Sequence, residues 1–473
     1  MTSNKLLMPN LTLLGIFIFG TVLWVLPIPE GVSAQAWHLF IIFLATIGGI
    51  ILNPLPMGVV ALFSITLCIV TKTLTLAECL GGFADKTVWL IVFAFFISHG
   101  FIKTGLGSRI AYMLISILGK STLGLAYSLV FSDFALSAGI PSVTARGGGI
   151  IFPVASSLCK SYSDETHPGV SSRNGGFLMK ICAQSSVITS AMFLTAMAAN
   201  PVAVGFAQQA GVTITWGSWA LAAIVPGLLC LIAMPLVVYF LYPPAMKHSD
   251  SAPALAQQKL KEMGPMSGKE KTMLLIFFLL IGLWIFGENF FGIDATSTAL
   301  IGLCFLLLFR VINFEETIGD KGAWHTFVWF ATLLMISNFL AKFGVMAWLG
   351  NKLEFAFSGF TPVISVVLLS LVYFYVHYIF ASATAHISVL LPTFLIIFIG
   401  AGIPPIVAAL MLIFLSVLSS GLTHFGLSST PIFFNAGYIK AQTWWFIGFI
   451  LSLVYIAIWA VVGAAWWKVI GLW

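Results

Sequence analysis

Apolar runs recur along the whole chain, separated by short polar or glycine- and proline-rich breaks. Many are roughly 17 to 25 residues long, enough for a helix to cross the roughly 30 Å hydrocarbon core of a bilayer. The pattern predicts full spans near residues 11–28, 37–53, 55–72, 86–104, 175–209, 218–242, 271–289, 293–311, 324–343, 405–440 and 443–470. Two of these are long and carry internal breaks, at Ala199-Asn200-Pro201 and at Ser429-Thr430-Pro431. Two further stretches, 121–160 and 361–400, each place two apolar arms around a Gly/Pro/Ser/Thr tip. Those arms reach only part of the way across. Re-entrant hairpins fit them, because non-helical backbone at membrane depth has to be buried or line a wet cavity.

The two tips carry one phrase twice: Ile140-Pro141-Ser142-Val143-Thr144-Ala145-Arg146 and Phe380-Ala381-Ser382-Ala383-Thr384-Ala385-His386. Ser142 and Thr144 precede Ser382 and Thr384 by 240 positions, and Pro153 precedes Pro392 by 239. Ser98 and Gly105 precede Ser337 and Gly344 by 239, and Pro201 precedes Pro431 by 230. Four matches in order at a nearly constant offset describe an internal repeat. Each copy holds five full spans and one hairpin, and five is odd, so the second copy enters the membrane from the opposite face. The expected fold is an all-α polytopic membrane protein, with about 11 transmembrane helices plus two re-entrant hairpins in an inverted repeat. Residues 1–36 give an extra N-terminal helix, 37–242 the first repeat, 243–270 a linker and 271–473 the second repeat. Interrupted segments at matching places in two halves point to a transporter's binding site.

Composition agrees. The chain is 60% hydrophobic and 8% charged, with a mean hydropathy of +1.07, too little charge to cover a soluble surface. The first run, near Leu11–Leu26, lacks a small-residue cleavage site and begins a series of spans, so it reads as a helix rather than a removable leader. The net charge of +6 resides in loops and gives no nucleic-acid signal. With the N-terminus cytoplasmic, only Lys72, Lys86, Lys342, Lys352 and Lys468 fall on the outer side, while the 243–270 loop supplies Lys247, Lys259, Lys261 and Lys269. That bias follows the positive-inside rule and predicts a multi-pass protein of the cell membrane. The same loop, rich in Pro, Ser, Ala, Gln and Lys, reads as a flexible linker. The six cysteines show no CxxC or Cys/His spacing, so neither a metal site nor a cofactor is expected. No GxxxxGK[ST], HExxH or GxSxG is present, so nothing points to an ATP-driven pump or an enzyme.

The candidate chemistry gathers at the tips and breaks. Ser142 and Ser382 are N-cap residues for the returning arms, with Thr144 and Thr384 in the first turn. A helix N-terminus presents free N–H groups and partial positive charge, which suits a carboxylate, and two such ends suit a dicarboxylate. Hydroxyls that merely satisfy backbone at a helix break give the same pattern. Asn200-Pro201 and Thr430-Pro431 each set a polar side chain before a proline that opens a new half-helix; a packing kink is the plainer reading. Arg146 and His386 occupy equivalent places after the tips, and His424 precedes Thr430. Charge at membrane depth is costly and commonly functional. Against substrate contact stands a pairing of Arg146 with Asp133 on the facing arm, or snorkelling to water. Asp133 itself reads as a structural ion-pair partner rather than a proton carrier. Lys103, Lys180, His99 and His377 read as snorkelling or interfacial groups.

At these residues the chain resembles the divalent anion:sodium symporter family, which carries a Ser-Asn-Thr motif at each of two hairpin tips and a proline-broken helix after each. Pro141-Ser142-Val143-Thr144-Ala145-Arg146-Gly147-Gly148-Gly149, the second tip phrase and Thr423-His424 are similar to its exchanger branch, which holds bacterial citrate/succinate antiporters and plastid 2-oxoglutarate/malate translocators. The resemblance implies a homodimer with a static scaffold and a moving transport domain in each protomer, an elevator mechanism. It carries a site over to Ser142, Thr144, Ser382 and Thr384, to Ala199-Asn200-Pro201 and to Ser429-Thr430-Pro431, with Val143 and Ala383 counted among the substrate-binding positions between the tip hydroxyls. Both motif asparagines are replaced here, by Val143 and Ala383, neither of which offers an oxygen. Weak or absent Na⁺ sites follow, and Arg146, His386 and His424 are left to balance the substrate's charge. An empty site would then carry uncompensated charge, which disfavours empty return and enforces exchange. The expected function is antiport of di- and tricarboxylates of the 2-oxoglutarate, malate, succinate and citrate class. A Na⁺-coupled symporter of the same fold, or an anion channel, are the alternatives.

Overall fold

The computed structural model describes residues 4–52, 54–161, 168–249, 251–345, 348, 362–380 and 382–473. Lys352, residue 361 at the start of the expected second hairpin, and Ala381 in its expected tip lie outside the described residues. Among those described, all regular structure is helical, with one isolated β-bridge between Ser121 and His248.

Among the described residues, seven helices are long and apolar enough to cross a membrane: Ala34–Leu52, Lys86–Thr104, Trp216–Leu241, Gly268–Phe291, Lys321–Lys342, Ala383–Gly400 and the Ala441–Val469 stretch. Six coincide with expected spans. The seventh, Ala383–Gly400, is the arm assigned from sequence to the second hairpin, and at 18 residues it meets the length criterion for a span. Other expected spans are shorter helices, such as Met57–Val70 and Ala295–Leu308. The 175–209 span is a different case. Its first helix, Pro168–Met192, is followed by a break and then by Ala199–Gln209. Hydropathy does not select it because Lys180, Gln184, Ser185, Ser186, Thr189 and Ser190 lower its average, yet every residue from Asn174 to Met192 is buried.

The chain divides into two compact units. The first comprises Met1–Val92, Pro201–Ile214 and Lys321–Ile413. Its helices approach closely where side chains are small: a Cβ on Gly82 would run into the Ala331 carbonyl oxygen. The hydroxyls of Thr46 and Ser64 meet at 2.7 Å between two of its helices. The second unit comprises Phe93–Asn200, Thr215–Asp320 and Phe414–Trp473. Pro168–Met192 is its centre, packed against Thr122–Ser137, Phe152–Ser161 and Trp216–Leu241.

The linker is more ordered than its composition implies. It forms a helix, Ser251–Met263, that buries Ala252 and Ala256 four residues apart on one face. Beyond it, Arg109 donates to the Glu270 carboxylate at 2.6 Å and to the Gly264 carbonyl at 2.9 Å. Ahead of it, the Thr122 N–H donates to the Lys247 carbonyl and the Ser249 N–H to the Lys120 carbonyl. A small-residue stripe and one buried arginine thus fix a segment whose polar composition reads as mobile.

Candidate functional site

The first tip is built around Ser142 and Arg146. Ser121 caps the outgoing helix Thr122–Ser137, and Ser142 caps the returning one, accepting the Ala145 N–H at 3.2 Å. The chain turns between them through Gly139, where a Cβ would fall 2.7 Å from Phe277 and 2.9 Å from Phe101; only glycine fits without displacing those rings. After Arg146 the returning arm widens into a π-helical stretch, Gly147–Ile151, before continuing as Phe152–Ser161. Such bulges are frequent at functional positions. Val143 is buried, Ser142 half-buried and Thr144 exposed.

Arg146 is fully buried, and each of its five N–H groups has an acceptor. Nε donates to Asp133 at 2.9 Å. One terminal nitrogen donates to the carbonyls of Ile140 and Ala196 at 2.7 and 2.8 Å. The other donates to the Thr189 and Ser190 hydroxyls at 3.3 and 3.2 Å. Asp133 completes its own shell with Thr189 at 2.6 Å and Ser185 at 3.2 Å. Of the readings open for Arg146, pairing with Asp133 is the one found. Its charge is cancelled at close range, and its role is to tie the tip to the break after Met192. Thr195 reinforces the tie by donating to the Ala138 carbonyl at 2.6 Å.

Asn200 closes that break. Its Nδ2 donates to the carbonyls of Ser190 and Phe193 at 2.7 and 3.0 Å, acceptors that the end of the preceding helix leaves open. Its Oδ1 is buried without a hydrogen-bond partner. The unit boundary passes between Asn200 and Pro201. The second break follows Pro405–Ser419 and ends at the short helix Thr430–Phe434, with Pro431 in its first turn. Thr430 turns inward, donating to the Leu427 carbonyl at 2.7 Å. Ser429 faces the first tip: its Cβ lies 2.9 Å from where a Gly147 Cβ would stand, and Ser186 Oγ lies 3.5 Å from the same point. The hydroxyls of Ser186 and Ser429 are both buried without a partner. Orphaned buried polar groups are rare, and each calls for an explanation.

His424 is half-buried among Phe425, Phe434 and Trp445. The Trp445 indole N–H donates to its Nδ1 at 3.0 Å. An indole nitrogen only donates, so this bond exists only while Nδ1 is bare and the imidazole carries its proton on Nε2.

Ser382, Ala383, Thr384 and His386 lie in the first unit. Ser382 occupies the N-cap position of Ala383–Gly400 without a side-chain cap bond, and Ala383 is buried. His386 is buried, with Nε2 2.8 Å from the Tyr373 carbonyl and its ring against Tyr373, His377 and Phe380. His377 is fully buried, so it is an interior group and not an interfacial one. Lys180 is corrected likewise: it is fully buried, donating to the Trp444 carbonyl at 3.1 Å and lying 4.3 Å over that ring. Lys103 and His99 pair with Glu316 and Asp320 at 2.6 and 2.8 Å near the surface.

Ser186, Thr189, Ser190, Gln184 and Lys180 were not singled out as binding residues by sequence. The signal available for them was the polar run Gln184-Ser185-Ser186 and Thr189-Ser190 inside an expected span of a chain that is 60% hydrophobic.

The profile of the family described as "Sodium:sulfate symporter transmembrane region" matches residues 8–473. A Bacillus subtilis (strain 168) protein provisionally named malate transporter YflS is 51% identical over 96% of this chain and 95% of its own. Dicarboxylate transporter 1, chloroplastic, of Arabidopsis thaliana is 49% identical over 96% of this chain and 82% of its own. The citrate/succinate antiporter of Escherichia coli (strain K12) is 33% identical over 96% of each. Among solved structures, the Alcanivorax borkumensis YdaH transporter superposes with a TM-score of 0.55 at 13% identity, covering 98% of both chains, a likeness of fold alone.

Proposed function

The chain belongs to the sodium:sulfate symporter family of membrane proteins, and from that premise we propose that it is a Na⁺-independent antiporter of di- and tricarboxylates. The substrates are of the 2-oxoglutarate, malate, succinate and citrate class, and the mechanism is of the elevator type. Its relatives' names supply the substrate class: malate, dicarboxylates, and citrate with succinate. Exchange and ion independence rest on Val143 and Ala383, which replace the two motif asparagines with side chains that hold no cation.

The observation that carries the reading is the first tip. Arg146 and Asn200 spend their donors on holding tip and break together, while the Ser186 and Ser429 hydroxyls stay buried and uncommitted beside Gly147. Rigid scaffolding around unspent hydroxyl donors is what recognition of a carboxylate needs. Ser142, Thr144, Asn200, Ser429, Thr430 and Pro431 are assigned to this half of the site; Pro201, Ser382, Ala383, Thr384 and His386 are added to the site by the repeat, and His424 by its place before Thr430 and the resemblance. The proposal includes an inverted repeat of 37–242 and 271–473 with two re-entrant hairpins, a cytoplasmic N-terminus, a cell-membrane location and a homodimer.

Radiolabelled 2-oxoglutarate, malate, succinate and citrate offered to proteoliposomes test it. Uptake confined to vesicles preloaded with a carboxylate, and indifferent to a Na⁺ gradient, supports exchange. Accumulation in empty vesicles driven by Na⁺ replaces it with symport. Currents carried by the anion without a counter-substrate replace it with a channel.

A further inference from the structure

Two apolar helices of the second unit end beside each other, and the chain that follows each is fixed by hydrogen bonds. Trp216–Leu241, long and apolar enough to cross a membrane, stops shortly before Lys247, and Leu106–Leu118 stops shortly before Lys120. Past these ends Ser121 and His248 form an antiparallel bridge. The Thr122 N–H donates to the Lys247 carbonyl at 3.0 Å, and the Ser249 N–H to the Lys120 carbonyl at 3.1 Å. The Thr122 hydroxyl donates to the Met246 carbonyl, and Asn174 Oδ1 accepts the Met246 N–H at 3.1 Å. Arg173 donates to the Pro243 carbonyl at 2.9 Å and lies 4.8 Å over the Tyr242 ring. The segment from Tyr242 to Ser249 is therefore held from both sides.

In this bridge Lys120 and Lys247 take diagonal positions on one face, about 7–8 Å apart. Both side chains are exposed, and so is Arg173. Among the described residues no carboxylate pairs with any of the three, whereas Lys103, Arg109, Arg146 and Lys259 each have one. Asp250, the nearest acidic residue in sequence to Lys247, lies outside the described residues. Like charges set side by side repel unless an anion joins them. Ile117 and Leu118 run up to Lys120, and Phe240, Leu241 and Met246 run up to Lys247, all of them exposed. Exposed apolar side chains leading into cations mark the level at which a chain leaves hydrocarbon for the headgroup layer.

We propose that Lys120 and Lys247, with Arg173 beside them, bind the phosphate of an anionic membrane lipid. The phosphodiester supplies the negative charge that the three cations lack, and its oxygens accept hydrogen bonds from both ammonium groups. The acyl chains cover the apolar side chains that precede each lysine. A free phosphate would satisfy the cations and leave those side chains bare, so charge and apolar surface together select the lipid. Bound there, it fastens the start of the Thr122–Ser137 helix to the segment that opens the linker. The inference needs only that the chain lies in a membrane, and holds whichever carboxylate is carried.

The test titrates the full chain, purified in a nonionic detergent, with phosphatidylglycerol, and with phosphatidylcholine and inorganic phosphate as separate arms. Native mass spectrometry reads bound lipid, and the thermal unfolding midpoint reads stabilisation. Wild type is compared with Lys120→Gln/Lys247→Gln, Lys120→Arg/Lys247→Arg and the charge-matched Lys261→Gln/Lys269→Gln, whose lysines are exposed farther along the linker. Lys120→Gln/Lys247→Gln is expected to bind phosphatidylglycerol roughly thirtyfold more weakly, about fivefold for each lysine. The arginine pair is expected to keep the affinity, and Lys261→Gln/Lys269→Gln to stay within about twofold of wild type. Undiminished binding in Lys120→Gln/Lys247→Gln overturns the inference. Equal weakening in Lys261→Gln/Lys269→Gln also overturns it, because the attraction would then belong to the loop's overall charge. Equal affinity for phosphatidylcholine, or equal stabilisation by inorganic phosphate, overturns the anionic lipid as the occupant. Only main-chain atoms of the two lysines form the bridge, so the variants are expected to fold. Should the double variant unfold, Lys120→Gln and Lys247→Gln are titrated singly, and fivefold weakening in neither overturns the proposal.

Discussion

Arg146 reaches Asp133 thirteen residues earlier in the chain, and the two fully buried charges meet at 2.9 Å. In the other copy of the tip phrase, His386 reaches back the same thirteen residues, to the carbonyl of Tyr373 at 2.8 Å. Each returning arm therefore bonds its outgoing arm at one register, with an ion pair in one copy and a neutral bond in the other. The repeated phrase records that shared geometry. What differs between the copies is the charge it carries.

Removing one member of the Arg146–Asp133 pair strands the other. Arg146→Met leaves a buried carboxylate with only the Thr189 and Ser185 hydroxyls, and Asp133→Asn leaves a buried guanidinium. Each single variant is expected to lose about 3–5 kcal/mol of stability, and the double variant much less than the sum. Thermal unfolding of the purified protein in detergent measures the cycle. Additive losses would show that the two charges do not depend on each other.

Gly147 is the contact between the returning arm and the second break. Gly147→Ala sets a methyl group 2.9 Å from the Ser429 Cβ and is expected to cost about 1–3 kcal/mol and most of the exchange rate. Ser429→Gly removes the opposing atom, so Gly147→Ala/Ser429→Gly is expected to regain stability. Recovery of exchange in the double variant would show that Ser429 matters there for its bulk; stability without exchange would show that its hydroxyl is used.

Arg109 fixes the end of the linker. Arg109→Ala frees Glu270 and the Met263 and Gly264 carbonyls together. Trypsin is then expected to cut at Lys259 and Lys261 severalfold faster than in wild type, read by gel and mass spectrometry. Equal rates would mean that the Ser251–Met263 helix is held by its Ala252 and Ala256 face alone.

The cap at Ser142 and the breaks before Asn200 and Thr430 were legible because their signal is local: a proline, a hydroxyl and a polar side chain interrupt an apolar run. The partner of Arg146 was legible as one of several options, since Asp133 lies on the adjoining arm. Choosing between them requires knowing which helix covers the arm, and Thr189, Ser190 and Ala196 come from that covering helix and its break. Lys180 was misread for a related reason. A lysine 12 residues from either helix end snorkels only if its face meets lipid. Asn174–Met192 is buried on all faces, a tertiary property that hydropathy does not carry. The linker failed in the opposite direction, because its average composition hid two alanines at helical spacing.

Sodium dependence is the property that two small side chains are asked to explain. Val143 and Ala383 are both nearly inaccessible, 4% and 2% exposed, so a residue placed there points into the protein. Asparagine is close to valine in size, so Val143→Asn adds an amide oxygen at the first tip with little change in volume. Ala383→Asn adds three heavy atoms to a closed position and is expected to cost about 1–3 kcal/mol from crowding. Wild-type exchange is expected to be flat in a Na⁺ titration, and Val143→Asn is expected to be stimulated by Na⁺ with K⁺ as the control. A wild type that already responds to Na⁺ would mean that main-chain carbonyls hold the ion without either asparagine. The tip would then be a cation site as well as a carboxylate site, and the chain a symporter.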